Sequence, residues 1–173
     1  DALNNNLTIN PIQAAMQRSG KTALVLLVLS LACTPLNAIF GFKPALRVRR
    51  ALGLYAFLYA SLHFAIFMAL DYGLDLPLLW QDALKKPYAL VGFAAGLILL
   101  ALAITSFKYW QKRLGRRWKS LHRLAYLAGI LVIVHYTWVV KADIRQPLAW
   151  GAIVLVLLLL RLPAIRALGQ KRV

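Results

Sequence analysis

The sequence predicts an all-α protein, a polytopic bundle of transmembrane helices forming one domain. Three observations carry that class. Of 173 residues, 61% are hydrophobic, where a soluble domain is roughly half apolar. Mean hydropathy is +0.67. The apolar residues gather into five runs, at 21–40, 51–70, 87–107, 121–140 and 147–163. Each is close to the roughly 20 residues that a helix needs to cross a hydrocarbon core about 30 Å thick.

Residues 1–20 are polar and turn-rich and are expected to form an external N-terminal segment. The first run, 21–40, holds the single cysteine, Cys33. One thiol allows no disulfide framework, and a small core residue is the plain reading. A basic link with Lys43, Arg47, Arg49 and Arg50 leads to the second run, which carries His63. An acidic connection with Asp71, Asp75 and Asp82 follows. The third run opens on Pro87, suited to a helix's first turn. Its Gly92 and Gly96 form a GxxxG, which reads as a helix contact. A strongly basic stretch, 108–123, leads into the fourth run, with His122 at its mouth and His135 deep inside. The fifth run ends before a basic tail, 164–173.

Net charge is +16. In a soluble chain that would suggest nucleic acid, yet no RNA- or DNA-binding motif is present and the bases fall between apolar runs. Sorted by side, 15 of the 21 Lys/Arg lie at 41–50, 108–123 and from Arg161 onward, with no acid among them. All five acids lie on the other side. Cytoplasmic loops carry the excess of Lys and Arg, so the basic side and the C-terminal tail are expected to be cytoplasmic. Five spans then put the N-terminus outside, and an upstream membrane segment or signal is expected to precede it.

The chain has three histidines. An ionisable side chain inside a membrane helix is costly and marks function by default. His63 follows Arg50 by 13 residues and His135 follows His122 by 13 residues, each a rise of about 20 Å. The two therefore reach matched depth in the outer half of the membrane. Two neutral imidazoles so placed suit axial ligation of a haem iron. Ala56, Ala60 and Gly53 before His63, and Ala128 and Gly129 before His135, leave room for a flat macrocycle. Ordinary small-residue helix packing explains them as well. A metal transporter would want more carboxylate, Cys or Met ligands in the spans, and none of the acids lies mid-span. His122 is a candidate ligand of a second haem. On an ideal helix, however, 13 residues set it about 140° from His135. Arg49 stands 14 residues before His63, where a partner histidine would be needed. Spacing alone thus favours an interfacial His122. Arg49, Arg50 and Arg123 are candidates to pair with haem propionates or a flavin phosphate, against topology and anionic-lipid contact as the plain reading. No Gly-rich dinucleotide fingerprint and no nucleophile–base pair is present.

The stretches RRALGLYAFLYASLH (49–63), KPYALVGF (86–93), TSFKYWQKRLGRRWKSLHRLAY (105–126) and HYTWVVK (135–141) closely resemble the MsrQ (YedZ) family. These are haem-binding membrane subunits of a bacterial methionine sulfoxide reductase system, within the ferric-reductase-like transmembrane superfamily. The resemblance runs from about Asn10 to the tail. It implies a b-type cytochrome of the bacterial inner membrane that passes electrons outward to a periplasmic molybdopterin subunit, MsrP. It implies electrons from a cytoplasmic flavin reductase or from quinol, and an association with FMN. The family's three functional histidines fall on His63, His122 and His135. The family has six spans, of which this chain resembles the last five. A ferric or quinone-linked transmembrane reductase is the nearest alternative. A histidine-based cation transporter and a purely structural assembly subunit are alternatives of other classes.

Overall fold

The computed structural model describes residues 11–140 and 143–161. All regular structure among them is helical, in the order α1 (Pro11–Phe40), α2 (Lys43–Ile66), α3 (Leu76–Lys85), α4 (Pro87–Ile104), α5 (Lys108–Leu114), α6 (Arg116–Leu121), α7 (Leu124–Val139) and α8 (Arg145–Leu159). A π-helical turn, Phe67–Asp71, extends α2. Helices α1, α2 with its π turn, and α4 are long and apolar enough to cross a membrane. The fourth and fifth expected spans form α7 and α8, shorter at 16 and 15 residues.

The helices reach further into the charged links than apolar runs indicate. Residues 11–20 form the first turns of α1 rather than a turn-rich segment, because Gln-Ala-Ala-Met-Gln-Arg is rich in helix formers. The remainder of the expected external segment, and the tail 164–173, lie outside the described residues. The basic link 41–50 is mostly helix too. Pro44 sits in the first turn of α2, leaving Gly41 and Phe42 to reverse the chain. Gly41 has φ +65°, a conformation open to glycine. The acidic connection contains α3, whose first turn is capped by Asp75 accepting from the Leu78 amide at 2.9 Å. Gly115, at φ +50°, separates α5 from α6 in the basic stretch.

The bundle is built from two helix pairs. Helix α1 packs along α2, and α4 packs along α7; α7 also meets α8 and α1, and α2 meets α4. The central cluster joins Leu27 and Leu31 of α1, Ala56 of α2, Leu99 of α4 and Ala128 of α7. Ala56 and Ala128 are both 0% exposed. They let the helix backbones approach closely, as small residues do in membranes. Gly129 faces Leu31 and Val154, and Gly53 faces Ser30. Helix packing thus takes up the small residues that also suited a macrocycle. Leu58, Leu62, Leu97, Leu100 and Val156 point outward and are exposed, the face that a membrane protein turns to lipid.

Candidate functional site

His63 lies near the end of α2 and His135 near the end of α7. The bundle brings their rings together, with centroids 6.2 Å apart and planes at 84°. Both are half-buried. Helices α2 and α7 are not a closely packed pair; α1 and α4 hold them in place.

Each ring is fixed by the helix beside it. His63 Nδ1 lies 2.9 Å from the Met16 carbonyl oxygen, and His135 Nδ1 lies 2.8 Å from the Tyr88 carbonyl oxygen. A carbonyl only accepts, so Nδ1 carries the proton in both rings. In a neutral imidazole held this way Nε2 keeps its lone pair, the form that binds a metal. A backbone carbonyl on the remote nitrogen is one of the usual outer partners of a metal-ligating histidine, with carboxylates and water. The neighbouring backbone comes close because Gly20 and Gly92 have no side chains. A Cβ at Gly20 would sit 3.0 Å from His63 Nδ1, and one at Gly92 would sit 2.6 Å from His135 Nδ1. Gly92 therefore does make a helix contact, onto the histidine itself, whereas a Cβ at Gly96 would meet nothing within 4 Å.

His122 is elsewhere and differently bound. Its Nε2 lies 3.1 Å from Thr105 Oγ1, and the Trp118 ring stacks on it at 4.1 Å. It occupies the break between α6 and α7. The helix is not continuous from His122 to His135, so an ideal-helix angle between them has no meaning here. The three arginines gather at the basic end, away from the histidine pair. Arg49 donates to Thr34 Oγ1 at 3.1 Å. The Arg50 guanidinium lies 5.9 Å from the Phe107 ring centre. Arg123 is exposed in the turn before α7. Trp138, beyond His135, is 49% exposed.

The fold and the histidine pair can be set beside known proteins. The family model for the ferric reductase like transmembrane component matches residues 19–134. The MsrQ haem-binding subunit of protein-methionine-sulfoxide reductase from Xanthomonas axonopodis pv. citri is 45% identical over 152 residues, 88% of this chain and 70% of that protein. The chain belongs to the MsrQ family of ferric-reductase-like transmembrane proteins. Its relative in Bordetella pertussis, also an MsrQ haem-binding subunit, is 41% identical over 157 residues, 90% of this chain and 76% of that protein. No solved structure matches the chain. The matched family region contains α2 and α4 whole, and with them His63 and both glycines. Sequence reasoning found the histidines and missed what fixes them. The signal was a repeated spacing, since Gly20 precedes His63 by the same interval as Gly92 precedes His135.

Proposed function

We propose that this chain is the b-type cytochrome subunit of a methionine sulfoxide reductase system in a bacterial inner membrane. It takes electrons at its basic, cytoplasmic face and passes them outward to a periplasmic, molybdopterin-containing partner of the MsrP type. The observation that carries the reading is the His63–His135 pair. A metal–imidazole bond is about 2 Å long and the ring centre lies about 1 Å behind the nitrogen, so two ring centres up to roughly 6 Å apart are within reach of one metal ion. The observed separation is 6.2 Å. Haem fits this donor set, and when bound it supplies one-electron chemistry. The relatives' names, haem-binding subunits of a reductase, support the same cofactor.

The chain's own residues would do the holding. His63 and His135 present Nε2 from two helices, and the Met16 and Tyr88 carbonyls keep each proton on Nδ1. The apolar side chains around the site lower the local dielectric, which strengthens electrostatic contacts in it. Arg49, Arg50 and Arg123 lie on the basic face, where their charge suits an anionic donor such as FMN on a flavin reductase, or the headgroups around a quinol.

The test is haem absorbance of the purified chain from cells supplied with haem. The expected result is a Soret band typical of a six-coordinate b-type centre, lost in His63→Ala and in His135→Ala. A wild-type chain without that band overturns the reading.

A further inference from the structure

The histidine sites are two copies of one device. In the first, a glycine on α1 (Gly20) faces a histidine on α2 (His63), whose Nδ1 reaches the carbonyl of Met16. In the second, a glycine on α4 (Gly92) faces a histidine on α7 (His135), whose Nδ1 reaches the carbonyl of Tyr88. Carbonyl and histidine are 47 residues apart in both. The copies share one register: 88 − 16, 92 − 20 and 135 − 63 each give 72. The same offset relates core residues, pairing Leu27 with Leu99 and Ala56 with Ala128. Two helix pairs of one chain thus repeat an arrangement down to a hydrogen bond.

The glycines explain how the device works. In an α-helix the carbonyl of residue i already accepts from the amide of residue i+4. Its second lone pair is open only if the side chain at i+4 does not cover it. Gly20 is four residues after Met16, and Gly92 is four residues after Tyr88. A bare Cα at that position lets an imidazole lie against the helix and donate Nδ1–H to the carbonyl one turn back. Any Cβ would push the ring away, more strongly at Gly92 (2.6 Å from Nδ1 and 2.7 Å from Cε1) than at Gly20 (3.0 and 3.1 Å).

We propose that Gly20 and Gly92 are paired positioning residues. Each exposes a helix carbonyl that locks its histidine in the Nδ1–H tautomer with Nε2 turned toward a shared metal centre. The inference rests on the haem reading for what Nε2 binds, but not for the tautomer itself.

The experiment uses the full chain with Gly20→Ala, Gly92→Ala and Gly96→Ala. Gly96 is on the same helix as Gly92 and would place its Cβ in open space, so it controls for alanine in α4. Two readouts separate the claims. Nitrogen-15 NMR of the histidine rings reports the tautomer with or without haem. Wild type and Gly96→Ala are expected to show Nδ1–H at His63 and His135, and Gly92→Ala to lose it at His135 alone. Gly20→Ala is expected to weaken it at His63 to a smaller degree. Haem retention is expected to fall about 10- to 100-fold in Gly92→Ala, the usual effect of losing an outer hydrogen bond to a metal ligand. The fall should be less in Gly20→Ala and absent in Gly96→Ala. An unchanged His135 tautomer in Gly92→Ala overturns the proposal. So does equal damage from Gly96→Ala. A wild-type chain that shows both tautomers locked and takes up no haem sinks the cytochrome reading alone.

Discussion

At the scale of single residues, the three histidines differ in which ring nitrogen is engaged. His63 and His135 use Nδ1 on a backbone carbonyl. His122 uses Nε2 on the Thr105 hydroxyl and lies under the Trp118 ring. Those contacts pack His122 into the α6–α7 break and tie it to the end of α4. His122→Ala is therefore expected to leave the haem-to-protein ratio of the purified chain unchanged while loosening this corner. A fall in the ratio from two to one would instead give His122 a ligand role. The histidines themselves were legible in the sequence, because three imidazoles in so apolar a chain stand out. Their partners were not. Met16 and Tyr88 contribute backbone carbonyls, and a carbonyl leaves no mark in residue type. Only the glycine four residues later betrays it.

At the scale of elements, the interior proline of α1 shows how one helix end serves another. Pro35 has no amide hydrogen, so the Leu31 carbonyl, four residues earlier, loses its usual partner. The Arg161 guanidinium, past the end of α8, donates to that carbonyl and to the Tyr126 hydroxyl, and lies 4.6 Å from the Tyr126 ring centre. One side chain thereby ties α8 to α1 and α7. Arg161→Met is expected to destabilise the bundle by about 1.5–3 kcal/mol, the range for a hydrogen bond to a charged group. The loss should shrink in a Pro35→Ala background, where the new backbone amide supplies the missing donor. A double-mutant cycle in detergent unfolding measures this coupling, and additive effects would remove the explanation. A second contact governs α3. Lys86 Nζ donates to Asp82 Oδ2 and to the Tyr72 hydroxyl at 2.8 Å each, and that hydroxyl donates to Asp82 at 3.1 Å. Hydrogen bonds from Lys86 and then Tyr72 hold the Asp82 carboxyl below its ordinary value. A depressed folded value means that the contact's contribution is complete above the unfolded pKa of about 3.9 and is lost as pH falls through the lower folded one. Protection of the 76–86 amides against hydrogen exchange should accordingly hold from neutral pH to about pH 5 and drop only below about pH 4. Asp82→Asn should show the lower protection already at pH 7. Apolar runs of span length made the long helices legible. The short ones were not, because α3, α5 and α6 lie in charged links where hydropathy carries no helical signal. Asp75, Pro87 and Gly115 were the available punctuation.

At the scale of the whole molecule, the bundle has a basic end and an acidic end, and the histidine pair lies toward the acidic one. The chain reversals at Gly41–Phe42 and Gly115 lie at the basic end, and those at Gly73 and Asp143 at the other. This follows from the repeat. Two antiparallel helix pairs in the same register, α1 with α2 and α4 with α7, must place their turns at one end and their histidines at the same depth. The all-α, membrane-spanning class was legible from run length and composition. The repeat was not, because the copies share a handful of positions among apolar residues that interchange freely, such as Val28 against Leu100. By the positive-inside bias, the basic end is expected to face the cytoplasm and the acidic end the outside. Alkaline phosphatase, which is active only outside the cytoplasm, can be fused after each reversal to test the assignment. Fusions after residues 73 and 143 are expected to be active, and fusions after residues 41 and 115 inactive, with a cytoplasmic fluorescent reporter giving the opposite pattern. Under that assignment the His63–His135 pair would lie nearer the outer face and Arg49, Arg50 and Arg123 on the inner one, the arrangement that the proposed outward transfer requires. Activity at 41 and 115 would invert the molecule and leave the histidine pair facing the cytoplasm. Outward transfer to a periplasmic reductase would then have no structural basis, even with the haem in place.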